Sequence, residues 1–76
     1  MVDRERAARI IATNFAVAEF SVPACRIVVK DISYVYQSKL CYESYSVNVD
    51  ITLSDGLYVP HQLCVNAHTG EVTLIY

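Results

Sequence analysis

The chain has 76 residues and a mass of 8.5 kDa. That is one small domain, which hides only about 60% of its unfolded surface and builds a single thin core. A formal net charge of −2 argues against binding driven by nucleic-acid phosphates. No apolar run is long enough to cross a membrane as a helix, and no basic stretch leads into an apolar one as in an export signal.

At 54% hydrophobic residues the sequence is too apolar for disorder. The charge is unevenly spread. Residues 1–39 hold all six Lys and Arg against four acids, whereas residues 40–76 hold four acids (Glu43, Asp50, Asp55, Glu71) and no Lys or Arg. Such a split suits an acidic sheet meeting a basic partner. Three cysteines, Cys25, Cys41 and Cys64, are an odd number and cannot form a complete internal disulfide framework. Free thiols in a reducing, cytoplasmic setting are expected, with a single Cys41–Cys64 or Cys25–Cys64 bridge as the alternative. Extra burial would then come from oligomerisation rather than from covalent staples.

In chain order, Asp3 is a good N-cap, and residues 4–20 follow without Gly or Pro. Ala7, Ile11, Phe15 and Ala18, with Ala8 and Ile10 beside them, form a narrow apolar stripe of helical period. Glu5 and Arg9 stand four apart in the favourable order. The many alanines permit a close approach to a sheet. Ser21, Val22 and Pro23 end the helix.

Residues 27–36 read as a first strand. Val28, Ile32, Tyr34 and Tyr36 share even parity, and Ile27, Val29 and Val35 share odd parity, so this strand reads as apolar on both faces. Residues 42–53 alternate cleanly, with Tyr45, Val47, Val49, Ile51 and Leu53 on one side and Ser44, Ser46, Asn48, Asp50 and Thr52 on the other. That is a strand with one dry and one wet face. Ser54-Asp55-Gly56 makes a tight hairpin turn. A third strand covers 57–65. Pro60 within it lacks an N–H for a ladder, so an edge position or a bulge is expected there. A turn at 66–70 leads into a last strand over 71–76.

The expected fold is α+β: residues 1–76 form a single domain, with one N-terminal helix packed on a four-stranded antiparallel β-meander. One helix covers one face of such a sheet. The other face then needs a second copy of the chain or a protein partner.

The element order, and the ending Gln62-Leu63-Cys64-Val65-Asn66-Ala67-His68-Thr69-Gly70-Glu71-Val72, resemble the PepSY domain. Asn66, Ala67, Thr69, Gly70, Glu71 and Val72 match that family's last hairpin, in which Gly takes the left-handed turn position. The resemblance implies a cystatin-like half-roll without catalytic residues that inhibits or regulates a peptidase. This family's members mostly belong to exported or membrane-attached proteins. The absence of an export signal, the segment Gln37 to Cys41 and the three cysteines depart from that pattern.

No constellation points to catalysis. The cysteines, His61 and His68 lack metal-ligand spacing, and His61 and Cys64, three apart on one strand, point to opposite faces. Asp50 lies well inside a strand on its wet face, the one position suggesting an enzyme-like base, in a chain too short to enclose a cavity around it. No cofactor, metal, nucleic acid or membrane is expected. The most unusual feature is six tyrosines and no tryptophan. Tyrosine suits surfaces where one end is dry and the other wet. Tyr34, Tyr36, Tyr42 and Tyr58 share even parity and are expected on the uncovered face with Asn48 and Asp50, whereas Tyr45 and Tyr76 are expected in the core. The expected function is a non-enzymatic protein-binding module that inhibits or regulates a partner, or forms a homodimer, through this face. The alternatives are a small acidic inhibitor of a host enzyme, of the phage or virus type, and a small enzyme using Asp50 or a cysteine.

Overall fold

The computed structural model describes residues 5–36 and 43–76. Asp3, Gln37 to Cys41 and Tyr42 lie outside the described residues. The elements are helix α1 (Glu5–Phe20), a single 3-10 turn (Ala24–Arg26), and strands β1 (Ile27–Tyr36), β2 (Glu43–Thr52), β3 (Tyr58–Asn66) and β4 (Val72–Leu74). The strands form one antiparallel sheet in the order β1-β2-β3-β4, so the fold is α+β with a helix followed by a meander.

The helix ends where the sequence loses its helix formers. Ser21 takes a left-handed φ of 55°, a conformation that closes a helix C-terminus. Pro23 follows in extended conformation, and its carbonyl accepts a 3.0 Å hydrogen bond from Arg26 N. Ala8, Ala12 and Ala16 are the fully buried positions of α1. Ala7, Ile11, Phe15 and Phe20 flank them, partly buried. The stripe is therefore centred on Ala8-Ala12-Ala16, and Ile10 and Ala18 are exposed. With only a methyl group at its centre, the helix axis comes close to the sheet, and the larger Ile11 and Phe15 pack along one side of the alanine line.

Against those alanines lie the odd positions of β2, Tyr45, Val47, Val49 and Ile51, with Leu63, Val65 and Ala67. Period-two alternation places them on one face. The helix lies chiefly over β1, with lesser contact to β2, β3 and β4.

β1 departs from the sequence expectation. Its pairing with β2 shifts by one residue between Val29 and Asp31, which makes Lys30 the extra residue of a β-bulge. Val29 stands opposite Val49, but Ile32 stands opposite Val47 and Tyr34 opposite Tyr45. The bulge reverses the parity of everything after it. Ile27 and Val29 before it and Ile32 and Tyr34 after it all face the helix. Much of the apparent apolarity on both faces is thus a phase shift, although Val28 and Val35 remain on the face away from the helix.

Two hairpins finish the sheet. At the first, Leu53 N donates to Leu57 O at 2.6 Å, Asp55 Oδ1 accepts from Leu57 N at 3.1 Å, and Gly56 has φ 89°. At the second, Asn66 Oδ1 accepts from His68 N (2.8 Å) and Thr69 N (3.0 Å), Gly70 has φ 78°, and Gly70 N donates to Asn66 O at 2.9 Å. This turn is tied back to the start of β2. Ala67 N donates to Glu43 O at 2.9 Å, and His68 Nε2 lies 2.9 Å from Glu43 Oε2.

β4 is short. It pairs with β3 only over Leu63–Val65, and the chain continues alongside through bonds between Gln62 and Ile75–Tyr76. β3 is therefore an inner strand from Gln62 to Asn66 and an edge strand from Tyr58 to His61. Gln62 N and Asn66 N both donate toward the β4 side. By alternation the nitrogen of Pro60 points the same way, beyond the end of β4, where no partner needs an N–H.

Candidate protein-binding surface

The face of the sheet away from α1 is built by the even positions of β2, by Val28, Asp31 and Ser33 of β1, and by Tyr58, Pro60, Gln62 and Cys64 of β3. Its centre is polar and tied across strands. Asn48 Nδ2 donates to Asp31 Oδ1 at 2.9 Å, Gln62 Nε2 donates to Ser46 Oγ at 2.8 Å, and Lys30 Nζ lies 3.7 Å from Asp50 Oδ2. The Lys30 side chain is mostly in solvent, so this pair adds little to stability, about 0–1 kcal/mol. Its effect is to hold the Asp50 carboxylate against the sheet.

The apolar part of the face is at the β2–β3 hairpin end. Val28, Asp50 and Pro60 form one cross-strand row, and Thr52 and Tyr58 belong to the next. Val28 is 50% and Tyr58 66% exposed on this face, Leu53 and Leu57 are exposed at the adjoining turn, and Val59, in register with Ile51, is exposed on the other side. Exposed large apolar side chains grouped at one end of a sheet are unusual for a surface facing only water.

The structure brings together part of the expected site. Asn48, Asp50 and Tyr58 share this face. Tyr34 does not. The bulge turns it to the helix side, where its ring meets Tyr45 edge-on with centroids 5.4 Å apart. The backbone of Tyr36 stands opposite Glu43, and Tyr42 is outside the described residues. Tyr45 is in the core as expected, but Tyr76 is not: its side chain is exposed, and its carbonyl accepts from Gln62 N and from His61 Nδ1, each at 3.0 Å. Val28 and Pro60 join the surface without belonging to the sequence-derived set, and the signal for Pro60 is the missing N–H that suits an edge strand.

The histidines and cysteines stand apart. His61 faces the helix side with its ring 4.5 Å from that of Phe20, whereas Cys64 lies on the opposite face, buried, in register with Ser46 and Thr73. Cys25 is exposed. Among the described residues no cluster of three His, Cys, Asp or Glu forms a metal-binding group, and no enclosed pocket is found. Among the described residues no helix is long and apolar enough to cross a membrane.

No protein-family model matches the chain, and neither a curated protein nor a solved structure resembles it significantly.

Proposed function

We propose that this chain is a non-enzymatic binding module that regulates or inhibits a protein partner through the helix-free face of its sheet. The observation that carries this reading is the row Val28–Asp50–Pro60, exposed at Val28 and Pro60 with Asp50 half-buried between them, and exposed Tyr58 beside it. It offers apolar and aromatic side chains next to a carboxylate already held in place by Lys30. An interface gains most from anchors of this kind, surrounded by polar groups whose partners are already set. The likeness of Asn66 to Val72 to the last hairpin of PepSY domains supports a peptidase as the partner class.

A second reading rests on charge. Residues 40–76, which supply β2, β3 and β4, carry four acids and no Lys or Arg. This favours a small acidic inhibitor docking on a basic enzyme surface. The two readings differ in salt dependence, since association steered by charge weakens steeply as ionic strength rises.

The test is titration of the chain against a panel of peptidases, beside a Val28→Ala/Tyr58→Ala variant of unchanged circular dichroism. Stoichiometric inhibition lost in the variant supports the face. Inhibition retained in the variant removes it, and inhibition of none of the panel removes the peptidase class.

A further inference from the structure

We infer that two copies of the chain pair antiparallel along the outer edge of β1, giving a continuous eight-stranded sheet about a twofold axis between Lys30 and Asp31. The edge is a different surface from the open face, but Lys30 and Asp31 border both, Lys30 reaching Asp50 at 3.7 Å and Asp31 accepting from Asn48 at 2.9 Å. β1 is the terminal strand of the sheet and, with ten residues, one of its two longest. Along its outer side no described strand meets its backbone groups. Long edge strands are templates for a further strand.

The bulge selects the partner and the register. The helix-facing residues are Ile27 and Val29 before Lys30, and Ile32 and Tyr34 after it. In an antiparallel pairing of β1 with its own copy, a register pairing residues of equal parity across the bulge would set helix-facing residues against open-face ones. Registers that pair opposite parity avoid this. Centred between Lys30 and Asp31, Ile27 meets Tyr34, Val28 meets Ser33 and Val29 meets Ile32, each with its own kind of face. The two bulges lie opposite one another, and the ladder needs no register shift. Moving the centre by one residue either way sets Val29 against Lys30 or Asp31 against Ile32.

Charge agrees with that register without being used to choose it. It places Lys30 of each copy opposite Asp31 of the other, two opposite-charge pairs flanking the axis. The Lys30 side chain is 58% exposed and Asp31 is exposed, so both are accessible. Directly opposed charges of opposite sign stabilise a strand pair, and like charges weaken it. Both helices then lie on the same side of the extended sheet, over a core continued through Val29 and Ile32.

The experiment is sedimentation equilibrium of the full chain and of two charge variants, Asp31→Lys and Lys30→Asp, each checked for folding by circular dichroism. The native chain is expected to be a dimer. Each variant alone opposes like charges at the axis and should self-associate about tenfold or more weakly. An equimolar mixture of the two should restore a dimer, because one variant then brings only positive charges to the axis and the other only negative ones. A native chain that stays monomeric across micromolar concentrations overturns the proposal. So does a native dimer that both variants leave intact, because the axis would then lie elsewhere. Amide hydrogen exchange on the native chain gives a reading without substitution. Protection of successive amides along Ile27–Tyr34 supports the pairing, and fast exchange of every outward amide overturns it.

Discussion

The ring of Tyr34 packs edge-on against that of Tyr45, 5.4 Å between centroids, although the spacing of β1 assigns Tyr34 to the other side of the sheet. The pair exists because Lys30 occupies a bulge. One inserted residue rotates the rest of the strand by half a period, and Ile32 and Tyr34 then join Ile27 and Val29 against the helix. Edge-to-face aromatic pairs are worth about 0.5–1.5 kcal/mol beyond the area they bury.

Deleting Lys30 should therefore be far more damaging than replacing it. Lys30→Ala removes one largely solvent-exposed ion pair, and urea denaturation should register a loss of about 1 kcal/mol or less. Deletion turns either Ile27 and Val29 or Ile32 and Tyr34 off the helix side of the sheet, and the cooperative transition should be lost or lowered by several kcal/mol. Equal effects from the two changes would show that the bulge does not set the phase of β1.

The alanine line of α1 predicts an inverted sensitivity to size. Ala12 is fully buried and Ile10 is 53% exposed. Ala12→Leu keeps a strong helix former yet should destabilise by about 1–3 kcal/mol through overpacking against the sheet. Ile10→Ala should change stability by about 0.5 kcal/mol or less. Thermal denaturation of both variants by circular dichroism checks the ranking.

At the second hairpin, Gly70 has φ 78° and Asn66 Oδ1 accepts two backbone N–H groups. Gly70→Ala should cost about 1 kcal/mol from the left-handed backbone alone. Asn66→Ala should cost a similar amount, about 1 kcal/mol, by leaving the N–H groups of His68 and Thr69 to solvent. Because the two substitutions act on one turn, the double variant should cost less than the sum, as a denaturation cycle would show.

Pro60 should act on solubility rather than stability. Its nitrogen points outward where β4 has ended, among exposed Leu57, Tyr58 and Val59. Pro60→Val gives that edge a donor and a β-branched side chain. The fold should keep its stability to within about 0.5 kcal/mol, while light scattering on warming should show earlier aggregation. Unchanged scattering would mean that the proline does not guard the edge.

Cys25 and Cys64 should differ in accessibility. With Cys25 exposed and Cys64 5% exposed, a thiol reagent should label Cys25 of the folded chain well before Cys64, as peptide mapping would show. Labelling of both at one rate would place Cys64 outside the core.

How much of the molecule is legible in its sequence follows from which signals are local. The helix over α1 and the dry face of β2 are legible because each rests on a repeating spacing within one segment. The turn at Gly70 and the edge position at Pro60 are legible because each depends on one residue's backbone chemistry. The candidate surface is legible only in part. Asn48, Asp50 and Tyr58 follow from simple alternation, but alternation puts Tyr34 on the wrong face, since the switch of apolar residues from odd to even positions at Lys30 reads equally as a strand apolar on both faces. The bulge is set by pairing: β2 supplies one residue where β1 supplies two, and the packing of Ile32 against the core with the Tyr34–Tyr45 ring contact offsets the disrupted ladder. The centre of the helix stripe is decided in the same way, since only the approach of the sheet selects Ala8, Ala12 and Ala16 over their larger neighbours. Local sequence sets the kinds, order and turns of the elements. Their phase comes from tertiary contact, because phase is a property of two segments packed together.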